Sequence, residues 1–373
     1  MSTPSAPSAP PGRRTVTIRD VARASGVSVA TVTRALHGHP RVRAETRRRV
    51  EEAAAALGYR PDFNARALAT GASKTIGLLV PSIGDRFCAE VAAGIEARAA
   101  EAGRAVLLAS SQHEPEREHE LAALFLAKRV DGIIVAAARA EPHDWFRPDE
   151  RPVPVVLVNL DESLGAHELR RARSASPRAT LAAWARRDPP APWLARLSFD
   201  DAGAAAEAVR HLLALGHERL AFVGEAPVRP AALRLLGFRL ACAEAGVEPL
   251  AIMPCELTLE GGRRAATELL RRPDRPTAIV AYDDVVAIGT MRAAHALGLH
   301  VPDDVALVGF DDIDIAAFVE PPLTTVRQQK EEMGRLAVDL LLRGLERDLG
   351  LHDTLPGELV VRGSSLPERG APA

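Results

Sequence analysis

Apolar positions recur at helical spacing through the first sixty residues, and then the period changes. Thr17 stands where a helix cap is expected, with Asp20 three residues on, and Val21 and Ala22 open an apolar stripe that stops at Gly26. Ser28 can cap a second helix, Val29 to Leu36, with Val32 and Leu36 on one face. Two short helices joined by a tight glycine turn predict a helix-turn-helix. A third helix is expected from about Ala44 to Leu57, with Val50, Ala54 and Leu57 inward and Gly58 as its stop. After Pro61 come a short helical stretch, Asn64 to Ala69, and the predicted hinge Thr70-Gly71-Ala72-Ser73.

Beyond the hinge, strands and helices alternate. Thr75 to Val80 reads as a strand, Phe87 to Ala102 as a helix and Ala105 to Ala109 as a second strand, which makes a βαβ unit. A helix at Glu116 to Lys128 and strands at Gly132 to Ala137 and Pro154 to Asn159 follow. Later strands are expected at Arg219 to Val223, Thr277 to Ala281 and Val305 to Gly309, between helices near Ala204 to Leu215, Ala231 to Ala245, Gly261 to Arg271, Asp284 to Leu297 and Glu331 to Leu345. The fold class is therefore an all-α head followed by an α/β core of parallel sheets covered on both faces, in two lobes. Ligands of such cores sit at the carboxyl ends of the strands. One segment breaks the rhythm: 162–196 holds seven arginines, three acids and four prolines without a clear period. A loop of that length is either disordered or functional, and disorder is the first expectation.

Composition sharpens this picture. The 373 residues are 47% apolar and 26% charged, enough for two or three folded units. No apolar run is long enough to span a membrane, and residues 1–12, rich in Ser, Ala and Pro, form an expected disordered tail with no secretory character. Three cysteines, Cys88, Cys242 and Cys255, lack metal or redox spacing and fit buried thiols in a reducing cytoplasm. The formal net charge of -2 hides an asymmetry: Arg13 to Lys74 carries 13 Lys/Arg against 5 Asp/Glu, so the head is +8 and the remainder -10. Such a head suits a polyanion, although a solvated basic surface gives the same count.

In a helix-turn-helix the second helix enters the major groove. Ser28 and Thr33 can reach phosphates or bases, Arg34 can pair with guanine, and Val29 and Ala30 can pack on a thymine methyl. Arg41, Arg43, Arg47 and Arg48 suit sequence-blind phosphate contacts. Leu68 can be a minor-groove wedge or can pack the head on the body, and its own residues favour neither.

The strings Thr17-Ile18-Arg19-Asp20-Val21-Ala22, Gly26-Val27-Ser28-Val29-Ala30-Thr31-Val32-Thr33-Arg34, Leu57-Gly58-Tyr59-Arg60-Pro61 and Ala65-Arg66-Ala67-Leu68 resemble the lac repressor/gal repressor family of bacterial transcription regulators. In the body the resemblance continues through Asp131-Gly132-Ile133-Ile134, Arg234-Leu235-Leu236-Gly237-Phe238, Val301-Pro302-Asp303-Asp304-Val305 and Val308-Gly309-Phe310-Asp311-Asp312. It implies a helix-turn-helix domain over 13–62, a hinge helix and linker over 63–74, and a core over 75–373 like a periplasmic sugar-binding protein, with lobe crossovers near 216 and 324. It also implies a homodimer or tetramer on a pseudo-palindromic operator in double-stranded DNA, with a small effector, a sugar or sugar derivative, in the interlobe cleft. No heptad run follows Leu345, which favours the dimer. On the DNA side the resemblance assigns Thr17, Ser28, Val29, Ala30, Thr33, Arg34, His37, Asn64, Arg66 and Leu68, with Leu68 as the wedge and a central CG step expected. On the effector side it assigns Phe87, Cys88, Arg234, Leu257 and Asp311, with Asp284 divided between cleft and structure. Arg and Asp together satisfy the acceptors and donors of vicinal hydroxyls. Cys88, Leu257 and Gly84-Asp85-Arg86 depart from common family residues, which points away from a standard hexose, and on the DNA side His37 stands where many members have asparagine.

Two other classes fit the sequence less well. A transport solute-binding protein shares the two-lobed fold but would need an export signal and no basic head. An enzyme would need a P-loop, a strand-linked GxGxxG, an HExxH or a GxSxG, none of which occurs, and His217 reads as a helix-end residue. The reading is a non-enzyme without metal or cofactor.

Overall fold

The computed structural model describes residues 16–36, 39–59, 72–138, 153–160, 176–185, 191–347 and 349–366. His37, the predicted helix Asn64 to Ala69, most of the 162–196 segment and the N-terminal tail lie outside them. The chain divides into two compact units, Met1–Ser73 and Lys74–Ala373.

In the first unit, α1 (Ile18–Ser25), α2 (Val29–Leu36) and α3 (Ala44–Leu57) enclose a small core of Val21, Ala22, Val32, Ala35, Val50 and Ala54. The cap pair forms: the Thr17 N–H and hydroxyl both donate to Asp20 Oδ2, at 3.0 and 2.8 Å. Gly26 and Gly58 close α1 and α3 with φ near +65°, where a Cβ would be strained. Leu57, expected inward, is 38% exposed, because at the last position of α3 its side chain passes the end of the core.

The second unit holds two six-stranded sheets of matching order. The first lobe contains β1 (Thr75–Val80), α4 (Arg86–Glu101), β2 (Ala105–Ser110), α5 (Pro115–Ala127), β3 (Gly132–Ala138), β4 (Val155–Leu160), α6 (Pro177–Ala185) and β5 (Leu194–Phe199). The chain then passes to the second lobe: α7 (Asp201–Ala214), β6 (Leu220–Glu225), α8 (Arg229–Glu244), β7 (Ala251–Pro254), α9 (Leu259–Leu270), β8 (Ala278–Ala281), α10 (Asp284–Ala296), β9 (Ala306–Asp311) and β10 (Thr324–Arg327). It returns through α11 (Lys330–Glu346) and β11 (Leu351–Leu355) and ends on β12 (Glu358–Val360). The sheet orders are β2-β1-β3-β4-β5-β11 and β7-β6-β8-β9-β10-β12. All pairs are parallel except β10 with β12. The central strands are buried on both faces, as parallel sheets between helix layers require, while the edge strands β2, β7, β11 and β12 are half-buried or exposed.

Three expectations need correction. The lobe crossings fall at 199–201, 327–330 and 355–358; the second lies close to the expected 324, but 216 lies within the second lobe, because helix α7 belongs to the sheet it enters and not to the one it leaves. The 162–196 segment is not uniformly irregular: it contains α6, which packs on α8, and the first residues of β5. Its period was invisible because α6 is short and alanine-rich and β5 is buried on both sides, with Arg196 inside the run. Cys255, expected buried, is half-exposed, whereas Cys88 and Cys242 are buried, and none of the three forms a disulfide.

Candidate functional site

The exposed surface of the head follows from which residues its core takes. Val32 and Ala35 turn inward on α2, so Ser28, Val29, Ala30 and Arg34 are left exposed and Thr33 half-buried. Val29, an apolar residue at the helix start, is 40% exposed. Ser28 caps α2 by accepting from Thr31 N–H at 3.2 Å, and the Thr33 hydroxyl donates to Val29 O at 3.0 Å. Arg41, Arg43 and Arg48 are exposed, but Arg47 is half-buried and donates to His39 O at 3.0 Å, so it braces α3 against the preceding loop.

In the second unit a cavity of about 320 Å³ opens between the lobes at the carboxyl ends of the strands. Its walls include Pro81 after β1, Ala137 and Asn159 near the ends of β3 and β4, Tyr282 after β8 and Asp311 at the end of β9. Ala137, Asn159 and Asp311 have φ of 53°, 49° and 102°, an uncommon conformation for residues with a Cβ. Each marks the place where a strand ends and the chain turns toward the cavity.

Arg234 is the centre of this cavity. It is 5% exposed and donates from Nε to Asp201 Oδ1 at 2.8 Å, from Nη1 to Tyr282 O at 2.7 Å and from Nη2 to Asp311 Oδ1 at 3.3 Å. Its guanidinium lies 3.7 Å from the centre of the Phe310 ring and 4.6 Å from that of Tyr282. Gly237, one turn on, lets α8 approach α7: a Cβ there would fall 2.0 Å from Ala202 O. Asn159 Oδ1 accepts from Phe199 N–H at 2.9 Å, and Gln328, in the crossing after β10, donates to Asp311 Oδ1 at 2.6 Å.

The electrostatics follow from burial. Desolvation works against the charge of Arg234, but Asp311 and Asp201 outweigh it and hold the guanidinium protonated. Burial pushes Asp201 up to about 6 even though Arg234 pulls it down. Burial and the neighbouring Asp311 push Asp283 up to about 7. The same causes carry Asp284 to about 8.

Of the six residues assigned to the cleft, the cavity brings together Phe87, Arg234, Leu257 and Asp311. The other two do not reach it. Cys88 is 1% exposed and sits in the core of the first lobe, because on α4 it points inward where its neighbour Phe87 points out. Asp284 is fully buried and accepts from Thr325 Oγ1 at 2.5 Å and Ile313 N–H at 2.8 Å, tying α10 to β10 and to the chain after β9. Its neighbour Asp283 caps α10 through Val286 N–H at 2.7 Å and lines the cavity. Asp85, His113, Asn159, Asp201, Tyr282, Asp283 and Gln328 were not singled out; only the Asp200-Asp201 and Asp283-Asp284 pairs gave a sequence signal, as carboxylates at helix starts. Among the described residues no group of three His, Cys, Asp or Glu could hold a metal ion, and no helix is long and apolar enough to cross a membrane.

Residues 17–62 match the family described as bacterial regulatory proteins, lacI family, and residues 209–365 match a periplasmic binding protein-like domain. The chain is 35% identical to the HTH-type transcriptional regulator DegA of Bacillus subtilis, over 94% of this chain and 98% of the relative. It is 34% identical to the HTH-type transcriptional repressor CytR of Escherichia coli, over 94% and 96%. Its structure is similar to that of the lac repressor dimer bound to operator and the anti-inducer ONPF, with a TM-score of 0.79 at 27% identity, covering 95% of this chain and 100% of that one. A complex of the transcriptional regulator CelR with cellobiose is also similar, with a TM-score of 0.64 at 28% identity, covering 94% and 100%.

Proposed function

Because the chain belongs to the lacI family of bacterial regulatory proteins, we propose that it is a DNA-binding transcriptional repressor whose operator affinity is set by a small effector. It acts in the cytoplasm, by binding and without turnover. The observation that carries this reading is the union on one chain of a helix-turn-helix, with Val29, Ala30 and Arg34 exposed on its second helix, and a two-lobed core with a polar interlobe cavity.

On the DNA side, Ser28, Val29, Ala30, Thr33 and Arg34 meet base edges and phosphates in the major groove, and Thr17 contacts the backbone. Asn64, Arg66 and the wedge Leu68, with His37, complete this surface and lie outside the described residues. Two copies of the chain bind the two halves of a pseudo-palindromic operator. On the effector side, Arg234, Asp311, Phe87 and Leu257 grip a hydroxylated ligand, a carbohydrate or a derivative of one, with Asp201, Asn159 and Gln328 beside them. Occupancy of a cavity built from both lobes shifts their relative population, and the coupling to operator affinity is reciprocal, typically about 1–3 kcal/mol.

Selection of the full-length protein on random DNA duplexes at near-physiological salt tests the reading. A two-fold symmetric motif with a central CG step is expected. Binding that is only salt-sensitive and blind to sequence, with or without a metabolite mixture, overturns it.

A further inference from the structure

The interlobe cavity carries more carboxylates than cationic groups, although His113 and the Asn159 amide also line it and can donate. Asp85, Asp201, Asp283 and Asp311 all line it, while among its described lining residues Arg234 is the one guanidinium or ammonium group. That guanidinium is held on three sides by Asp201, the Tyr282 carbonyl and Asp311. Gln328 adds an acceptor of another kind. It is 3% exposed, its Nε2 is committed to Asp311, and its Oε1 has no hydrogen-bond partner among the described residues. A buried amide oxygen left without a donor is costly, so the occupant of the cavity is expected to bring one.

These features discriminate between ligand charges. A phosphate or carboxylate would set acceptors against acceptors and add negative charge to a cavity that already has an excess of it. A protonated amine brings three donors and the missing positive charge. We infer that the ligand of this cavity is a hydroxylated compound bearing a protonated amine, its nitrogen set against Asp283, Asp311 and Gln328 Oε1, and not a sugar phosphate or sugar acid. The inference rests on the reading of this cavity as the effector site and narrows it to one chemical class.

A pH signature accompanies it. Asp283 is faced by Asp311, Asp284, Arg234 and the Cys255 thiol, with Asp85, Asp201 and His113 in the same cavity lining, and burial, reinforced by Asp311, pushes its carboxyl up to about 7. An incoming cation favours the ionised carboxylate, so binding releases a proton and weakens as pH falls through that value.

The test is a thermal-shift screen of the full-length protein at pH 7.5 against three sets: amino sugars and amino alditols, neutral sugars and alditols, and sugar phosphates and sugar acids. Stabilisation is expected from the amine set. For an amino alditol, whose nitrogen stays protonated over the range, affinity should fall about tenfold from pH 8 to pH 6, the change for one linked proton near 7. Asp283→Asn, which keeps the helix cap, should weaken its binding at pH 8 and markedly reduce the pH dependence, leaving the smaller part that Asp201 carries, and Gln328→Leu should weaken it while leaving that dependence in place. An amine indifferent to both pH and Asp283→Asn overturns the inference. So does a neutral or anionic compound that stabilises the protein as strongly and loses its effect in Asp311→Asn, which leaves the effector reading of the cavity standing. No stabilisation by any set overturns both.

Discussion

At the scale of single residues, the cavity depends on which of two adjacent side chains turns toward it. Asp283 and Asp284 look alike in sequence, yet Asp283, in extended backbone at the cap, faces the cavity, while Asp284, at the first helical position, is drawn into the protein by Thr325 and Ile313. The Phe87-Cys88 pair divides in the same way. No periodicity argument separates neighbours at a helix start, because the cap and the first turn follow different backbone geometries. The raised carboxyl of Asp283 has a consequence for stability. A carboxyl at about 7 in the folded protein against 3.8 otherwise makes the folded state bind the extra proton, so wild-type stability declines as pH rises from about 4 through 7. Asp201 and Asp284, whose carboxyls are also raised, keep their shares of that decline, whereas Asp283→Asn removes the share of Asp283 while preserving the cap. It should stabilise the protein at pH 8 by on the order of 1–4 kcal/mol, with the gain shrinking to nothing below about pH 4. Thermal unfolding of both proteins across pH 4 to 8 checks this, and a gain that does not vary with pH would refute it.

At the scale of elements, most helices and strands were legible because their apolar residues keep one period for several turns. The three helices of the head and the strands β1, β3, β6 and β9 are of this kind. Those missed are short or atypical: β7, β10 and β12 have only three or four residues, β11 is exposed along most of its length, α6 lies in an arginine-rich and proline-rich segment, and β5, buried on both faces, begins within that segment. How elements approach one another was not legible either. Gly237 reads as an ordinary small residue, yet it is the point where α8 touches the backbone of α7 and so brings Arg234 to Asp201. Gly237→Ala must separate these helices. It should cost about 1–3 kcal/mol of stability and weaken effector binding more than operator binding. Denaturant unfolding together with both binding assays checks it, and intact stability would mean the helices part more easily than their close approach implies.

At the scale of the whole molecule, the charge asymmetry is the dominant sequence feature. A head of +8 on a chain whose net charge is -2 predicts operator binding that weakens steeply with salt. Arg41→Ala, Arg43→Ala and Arg48→Ala, at exposed positions, should each lower the slope of log affinity against log salt by about 1 for every DNA phosphate that the variant no longer neutralises. Arg47→Ala should instead destabilise the head, since its guanidinium is turned onto His39 O. Salt titrations of operator binding, with thermal unfolding of each variant, separate the two outcomes. The matching sheet orders of the lobes show a second property of this scale: the cavity exists only because strand ends of both sheets, and the crossing residue Gln328, meet at one place.

By itself the sequence determined the class of each unit, the order of most elements and the basic head, because period, capping residues and charge are local properties written in consecutive positions; Arg234 and Asp311 were reached only through the family resemblance of the strings that contain them. Only the tertiary structure decided where the chain crosses between lobes, which of two neighbouring aspartates faces the cavity, and that Asp201, Asn159 and Gln328 join Arg234 there. These are contacts between residues far apart in the chain, set by how helices pack on sheets and by which carboxylates end up buried together. No spacing along the sequence encodes them.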